Sequence, residues 1–178
     1  MNDIQEIINL NFERDFFFDK GSLKTVKDVE HQIDVFNKKY PNYADQLYAT
    51  LKEALPNVKI EDWTHFFRQD RSVRFLLEID EQERYVLQVS IFGFFCVYRR
   101  SCVFDGEQYS YGKIEFINQG KHLLTDQLYY CIPNYNEFPW IAEGTLKEIV
   151  PSLSILNDDK RYSFCITIAD ALFSDHYL

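Results

Sequence analysis

The amino-acid sequence predicts an α+β fold in which N-terminal helices pack on a mostly antiparallel, twisted β-sheet. Three observations lead there. Across residues 1–68 apolar side chains recur every three or four positions. Between 72 and 118 the repeat shortens to two, and across 120–178 glycines and prolines cut the chain into short pieces that mix both patterns. A length of 178 residues suits one domain, 1–178, with no internal repeat, low-complexity tract or linker to divide it. At this size about 70% of the unfolded chain's surface can be buried, so the core needs no metal or disulfide to support it.

Ile4, Ile7, Ile8 and Phe12 share one side of a first helix, expected from Asp3 to about Phe17 and broken by Gly21. Ser22 or Thr25 can cap a second helix, in which Val26, Val29, Ile33, Phe36 and Tyr40 form the apolar stripe and Lys24, Lys27, Glu30, Asp34 and Lys38 the wet face. Pro41 and Asn42 punctuate. Tyr43, Leu47, Leu51 and Leu55 then recur at intervals of four until Pro56 stops a third helix. Asp62 reads as the cap of a short helix beginning near Trp63.

Next the period changes. Val73, Phe75, Leu77 and Ile79 alternate with Arg74, Leu76, Glu78 and Asp80, and after the polar link Glu81 to Glu83 the alternation resumes with Tyr85, Leu87, Val89 and Ile91, which predicts a hairpin. Gly93 marks a bulge or tight bend before a third strand within Phe94 to Phe104, and Asp105-Gly106 is a turn signal leading to a fourth strand around Tyr109 to Ile117. Leu123 to Cys131 fits a helix or a strand. Thr145 and Glu148 have the spacing of a capping box for a short helix to Val150, and Tyr162, Phe164, Ile166 and Ile168 give a last strand.

The formal charge is −9, divided as −4, −1 and −4 over residues 1–62, 63–118 and 119–178. Such a surface repels phosphate backbones and attracts cationic partners, so the expectation is a protein partner and no nucleic acid. No apolar run approaches the roughly 20 residues that cross a bilayer, and no basic leader opens the chain, which sets the expectation of a cytoplasmic protein with no membrane partner. Cys96, Cys102, Cys131 and Cys165 lack the close pairing of a zinc site and read as buried free thiols.

Catalytic signatures are missing. His31, His65, His122 and His176 form no pair at helical ligand spacing, the six glycines are too scattered to cradle a phosphate, and no serine sits in a nucleophile elbow. The carboxylate groups Glu61-Asp62, Asp80-Glu81-Glu83 and Asp158-Asp159 fall where loops or element ends are expected. No catalytic residue, cofactor or metal is therefore assigned. Arg68, Arg71, Arg74 and Arg84 cluster near the first hairpin, where Glu78, Asp80 and Glu83 are placed to pair with them rather than leave an anion site.

Aromatic residues make up 17% of the chain, more than a minimal core requires, and Tyr and Trp suit interfaces as well as cores. Together with the acidity this points to a protein-binding module, of the kind represented by small acidic immunity proteins that block cationic toxins. Candidate anchors are Trp140, Phe138 and Tyr135 in the proline-bounded segment, with Glu137 and Glu143 as the acids. The alternatives are an enzyme or small-ligand binder with a cavity between helices and sheet, drawing on His65, Arg68, Tyr98 or His122, and a structural or regulatory subunit of an assembly. A monomer or a dimer is expected.

Overall fold

The computed structural model describes residues 4–12, 23–64, 71–80, 84–104, 109–118, 123–156 and 163–173, some of them, including Tyr135, by backbone alone. Three helices open the chain: α1 (Ile4–Asn11), α2 (Leu23–Lys39) and α3 (Tyr43–Ala54). Five strands follow, β1 (Lys59–Asp62), β2 (Ser72–Glu78), β3 (Arg84–Ser90), β4 (Phe95–Phe104) and β5 (Tyr109–Phe116), forming one antiparallel sheet in the order β1-β2-β3-β4-β5. Then come α4 (Leu123–Cys131), a 3-10 turn (Tyr135–Glu137), α5 (Glu143–Leu146), β6 (Ile149–Leu156), β7 (Ser163–Thr167) and α6 (Ile168–Leu172). The architecture is the expected α+β arrangement of N-terminal helices and an antiparallel sheet. One difference is that β6 and β7 form a two-stranded sheet of their own.

Alternation assigns one face of the sheet to Val73, Phe75, Leu77, Tyr85, Leu87, Val89, Phe95 and Val97, all buried. α3 and α4 cover it. The Tyr48 ring stacks on Phe75 with centroids 5.9 Å apart, and the Tyr129 ring meets Phe95 at 5.8 Å. The other face, which the alternation marks as the wetter one, is buried as well: Ser72, Arg74, Leu76, Val86, Gln88, Ser90, Cys96 and Tyr98 all lie inside. Three of its polar members bond to one another, since Gln88 Nε2 donates to Ser72 Oγ at 3.3 Å and Cys96 Sγ donates to Gln88 Oε1 at 3.9 Å.

Between β3 and β4 the chain reverses tightly. Ser90 N–H donates to the Phe94 carbonyl at 2.7 Å and Gly93 N–H to the Ser90 carbonyl at 3.0 Å, with Gly93 at φ +88°, where a side chain would be strained. Just beyond, the segment around Trp140 lies parallel to β4: Phe95 N–H donates to the Pro139 carbonyl at 3.2 Å and Ile141 N–H to the Phe95 carbonyl at 3.1 Å.

α6 is joined to the main sheet through its C-terminal carbonyls, the groups a helix cannot satisfy itself. Arg71 is 1% exposed. Its Nε donates to the Ala171 carbonyl at 2.9 Å, its Nη2 to the Asp170 carbonyl, and its backbone N–H to the Phe173 carbonyl at 2.8 Å. Ser90 Oγ donates to the Leu172 carbonyl at 2.5 Å. The guanidinium carbon also lies 5.6 Å from the centroid of the Phe12 ring, so the residue directly after α1 closes the same site. At the other end of α6, Thr167 and Asp170 form a capping box, with Thr167 N–H donating to Asp170 Oδ2 at 2.8 Å and Asp170 N–H to Thr167 Oγ1 at 3.3 Å. Burial pushes the Asp170 carboxyl above the usual range, against the opposing pull of Thr167 and Arg71.

Several local expectations are corrected. Lys59–Asp62 is a strand, Asp62 Oδ1 accepts from Thr64 N–H at 2.8 Å, and Trp63 and Thr64 are not helical, while the rest of the short helix expected to begin near Trp63 lies outside the described residues. The short helix near 145 begins at Glu143 with no side-chain cap, so Thr145 and Glu148 form no capping box, and residues from Ile149 turn into β6. Leu123–Cys131 is a helix, and Ile168 begins α6 instead of ending the last strand. α1 ends at Asn11 and Phe12 follows it outside the helix, and the remainder of the expected extension to Phe17 lies outside the described residues, as do the link 81–83 and Asp105-Gly106.

Replacing Arg71 by Met keeps the apolar stem and removes the donors, leaving buried carbonyls at the end of α6 unsatisfied. The expected cost is about 3 kcal/mol, each such group being worth roughly 1–3 kcal/mol. Urea unfolding followed by circular dichroism checks this as a lowered midpoint at unchanged slope.

Candidate functional site

Among the described residues a groove of about 600 Å³ lies between α1 and α2 on one side and the β3–β4 turn and the 3-10 segment on the other. Its apolar lining includes Ile7, Val35 and Phe92, and its polar groups are Gln32, Lys39, Tyr40, Asn136 and Glu137. An aromatic cluster forms its base. Phe36, Tyr40, Tyr43 and Phe138 pack with ring centroids 5.2–6.3 Å apart, each such pair contributing roughly 0.5–1.5 kcal/mol beyond its area.

The backbone aims Glu137 at this groove. Asn134 takes a left-handed φ of 56°, which a short polar side chain tolerates, and Glu137 N–H donates back to its carbonyl at 2.8 Å. The turn is tied to α3, since the Tyr43 hydroxyl donates to the Pro133 carbonyl at 3.0 Å. Glu137 Oε2 then receives both Lys39 Nζ, at 2.5 Å, and the Tyr40 hydroxyl, at 2.6 Å. The Lys39 ammonium sits 4.8 Å from the Tyr40 ring centroid. These contacts hold the Glu137 carboxyl below the usual carboxylate range, Lys39 contributing more than Tyr40, and raise Lys39 in turn. Burial pushes the Tyr40 and Tyr43 phenols up.

The other residues singled out in the sequence separate into distinct environments. Phe138 is 0% exposed and belongs to the aromatic cluster, so its ring offers nothing to a partner. Trp140 is half-buried, packed edge-on to Phe95 at 4.8 Å, and its Nε1 is buried without a hydrogen-bond partner. Glu143 opens α5, where its N–H donates to Asn118 Oδ1 at 2.8 Å and its carboxylate accepts Lys147 Nζ at 2.5 Å. Tyr135 opens the 3-10 turn, and its side chain lies outside the described residues. Of the candidate anchors whose side chains are described, Glu137 is the exposed one at the groove, with Phe138 buried beneath it.

Tyr98 lies on the sheet, 7% exposed and away from the groove lining, while His65, Arg68 and His122 lie outside the described residues. His31 is exposed on α2. Among the described residues no group of three His, Cys, Asp or Glu side chains is placed to hold a metal ion, and no helix is long and apolar enough to cross a membrane. Cys96 and Cys131 are buried free thiols. Of the arginines near the first hairpin, Arg84 pairs with Glu78 at 3.0 Å, and Arg71 is committed to α6. Sequence reasoning missed Lys39 and Tyr40, the α2 residues that meet Glu137. The signal available was their position at the C-terminal end of the helix stripe, which says nothing of a partner 97 residues on. Comparison of the chain with protein-family models, curated proteins and solved structures finds no match.

The Lys39–Glu137 contact makes stability depend on pH in a defined direction. A depressed carboxylate pKa contributes stability that is present above the ordinary value of 4.5 and is lost as pH falls through the folded-state value. A Glu137→Gln chain is expected to be less stable than the parent at neutral pH and to converge with it in acid. Paired thermal melts between pH 7 and 3 check this, and a gap that persists at the acid end contradicts it.

Proposed function

We propose that this chain is a non-enzymatic protein-binding module that engages a cationic macromolecular partner in the cytoplasm, in the manner of an immunity protein that neutralises a toxin. The observation that carries the reading is how charge is distributed at the surface. Lys39, Lys59, Arg84, Arg99 and Lys147 are each held by a carboxylate of the same chain. Among the described residues, the exposed carboxylates of Glu6, Glu30, Asp34, Asp45, Glu53, Asp62 and Glu148 have no ion-pair partner, against the ammonium groups of Lys27, Lys38, Lys52 and Lys113. With a formal charge of −9, the potential outside the protein is set by unpaired acids, which steer basic proteins inward and weaken their complexes as salt rises. Glu137 at the groove and exposed aromatic rings such as Tyr130, 74% exposed, supply contact surface.

A second reading, a small-ligand binder, is favoured by the groove alone, whose volume lies in the range of small-molecule sites. The two separate experimentally. The tagged chain is used to capture partners from its source at low and then raised salt, and the retained protein is purified, titrated back and assayed for its own activity. A stoichiometric basic protein, released by salt and inactivated on binding, is the expected result. Capture of no basic protein, together with thermal stabilisation by small molecules that the Lys39→Met chain loses, would overturn it in favour of the ligand reading.

A further inference from the structure

We infer that the outer edge of β1 accepts an extended, lysine- or arginine-bearing segment of a partner protein as a sixth strand of the sheet. This deepens the protein-binding reading and rests on it for the partner's charge. In an antiparallel ladder, successive residues turn their N–H and C=O groups alternately toward one neighbour and the other. Trp63 N–H donates to the Arg74 carbonyl of β2 at 2.9 Å. The register Asp62↔Phe75, Glu61↔Leu76, Ile60↔Leu77 then turns Glu61 and Lys59 toward β2, and Ile60 and Asp62 outward. Among the described residues β1 ends the sheet, and no hydrogen bond is found there at the outward N–H or C=O of Ile60 or Asp62. These groups are a template for one more strand.

The surroundings select the occupant. Glu61, Asp62 and Glu78 lie at this edge with Lys59 and Arg84, both of which bind Glu78, Lys59 at 2.7 Å and Arg84 at 3.0 Å. A lysine on a short edge strand commonly deters pairing. Here the Lys59 ammonium folds back onto Glu61, at 2.6 Å, as well as Glu78, and so leaves the edge without a projecting positive charge. Directly after the strand, Trp63 is 37% exposed, with its Nε1 donating to Glu61 Oε2 at 3.2 Å. Its ring offers an aromatic surface beside the carboxylates, a combination suited to the stem and head of a basic side chain. A strand added here places its side chains about 5 Å from those of Glu61 and Asp62, so a basic residue opposite either one meets a carboxylate.

The test uses a synthetic six-residue peptide alternating lysine and valine, added to the full chain at low salt, with amide hydrogen exchange followed residue by residue. Exchange at Ile60 and Asp62 is expected to slow about tenfold or more at saturation. The same peptide N-methylated on alternate residues, which removes edge donors and keeps charge, is expected to give no protection. An Asp62→Lys chain, checked for folding by circular dichroism, is expected to bind several-fold more weakly. Equal protection by the methylated peptide, or by a glutamate–valine peptide, would overturn the inference. So would binding that slows exchange along the groove at Val35 and Phe92 and leaves β1 unchanged. Protection of β1 that rises with protein concentration and needs no peptide would assign the edge to a second copy of the chain instead. Because the peptide reads the edge directly, this outcome is separable from failure to capture a cationic partner.

Discussion

The seating of α6 on Arg71 and Ser90 is the contact around which the described parts of the molecule are arranged. A helix of five residues cannot be stable alone, and all five residues of α6 are buried. Burying it leaves its last carbonyls without water, and each unsatisfied one is costly. A single guanidinium, fixed by the backbone at the entrance to β2, together with the Ser90 hydroxyl at the exit of β3, supplies the missing donors. The same guanidinium lies against Phe12, the residue that follows α1. The first helix, the centre of the sheet and the last helix therefore meet at one buried cation, which ties the two ends of the chain to its middle.

That constraint shapes the surface as well as the interior. Holding α1 near the β3–β4 turn leaves the groove between it, α2 and the 3-10 segment. The Pro133–Asn134 turn, anchored by the Tyr43 hydroxyl, places Glu137 over the end of α2. Phe138 faces inward to the aromatic cluster, while Glu137 faces outward to Lys39 and Tyr40. Adjacent residues thus divide between core and surface, and an aromatic-plus-acidic segment that reads as one recognition loop is half core. Much of the aromatic excess serves the same end: Phe36, Tyr40, Tyr43 and Phe138 form a packed cluster that holds the helices to the turn.

Charge tells a complementary story. Several basic side chains are drawn into pairs with carboxylates of the same chain, and one arginine is spent inside the core. Each pair removes one base and one acid together, so the net charge of −9 stays as the composition sets it, and on the proposed reading that excess of acid is what would attract a basic partner. The unpaired backbone of β1 adds a directional element to an attraction that is otherwise nonspecific.

Local patterns decided much of the fold. The three-and-four spacing of Val29, Ile33 and Phe36, and of Tyr43, Leu47 and Leu51, marks the helices, and the alternation of Val73, Phe75 and Leu77 with Tyr85, Leu87 and Val89 marks the central hairpin. Each is a periodicity that one buried face imposes on its own element. What alternation could not reveal was that Arg74, Leu76, Gln88 and Cys96, on the opposite face, are buried too, because that depends on whatever else lies over the sheet. β1 is four residues with no clear period, and its strand state comes from pairing with β2. Arg71 looked like one of a cluster awaiting carboxylates, yet its acceptors are main-chain carbonyls about 100 residues away, which carry no sequence signature at all. Local spacing and composition are enough to define the class of fold, its acidity and the faces of its longer elements. Tertiary structure decided the groove, the Lys39–Tyr40–Glu137 contact, the open edge and the buried arginine, since each depends on groups distant in the chain meeting in space.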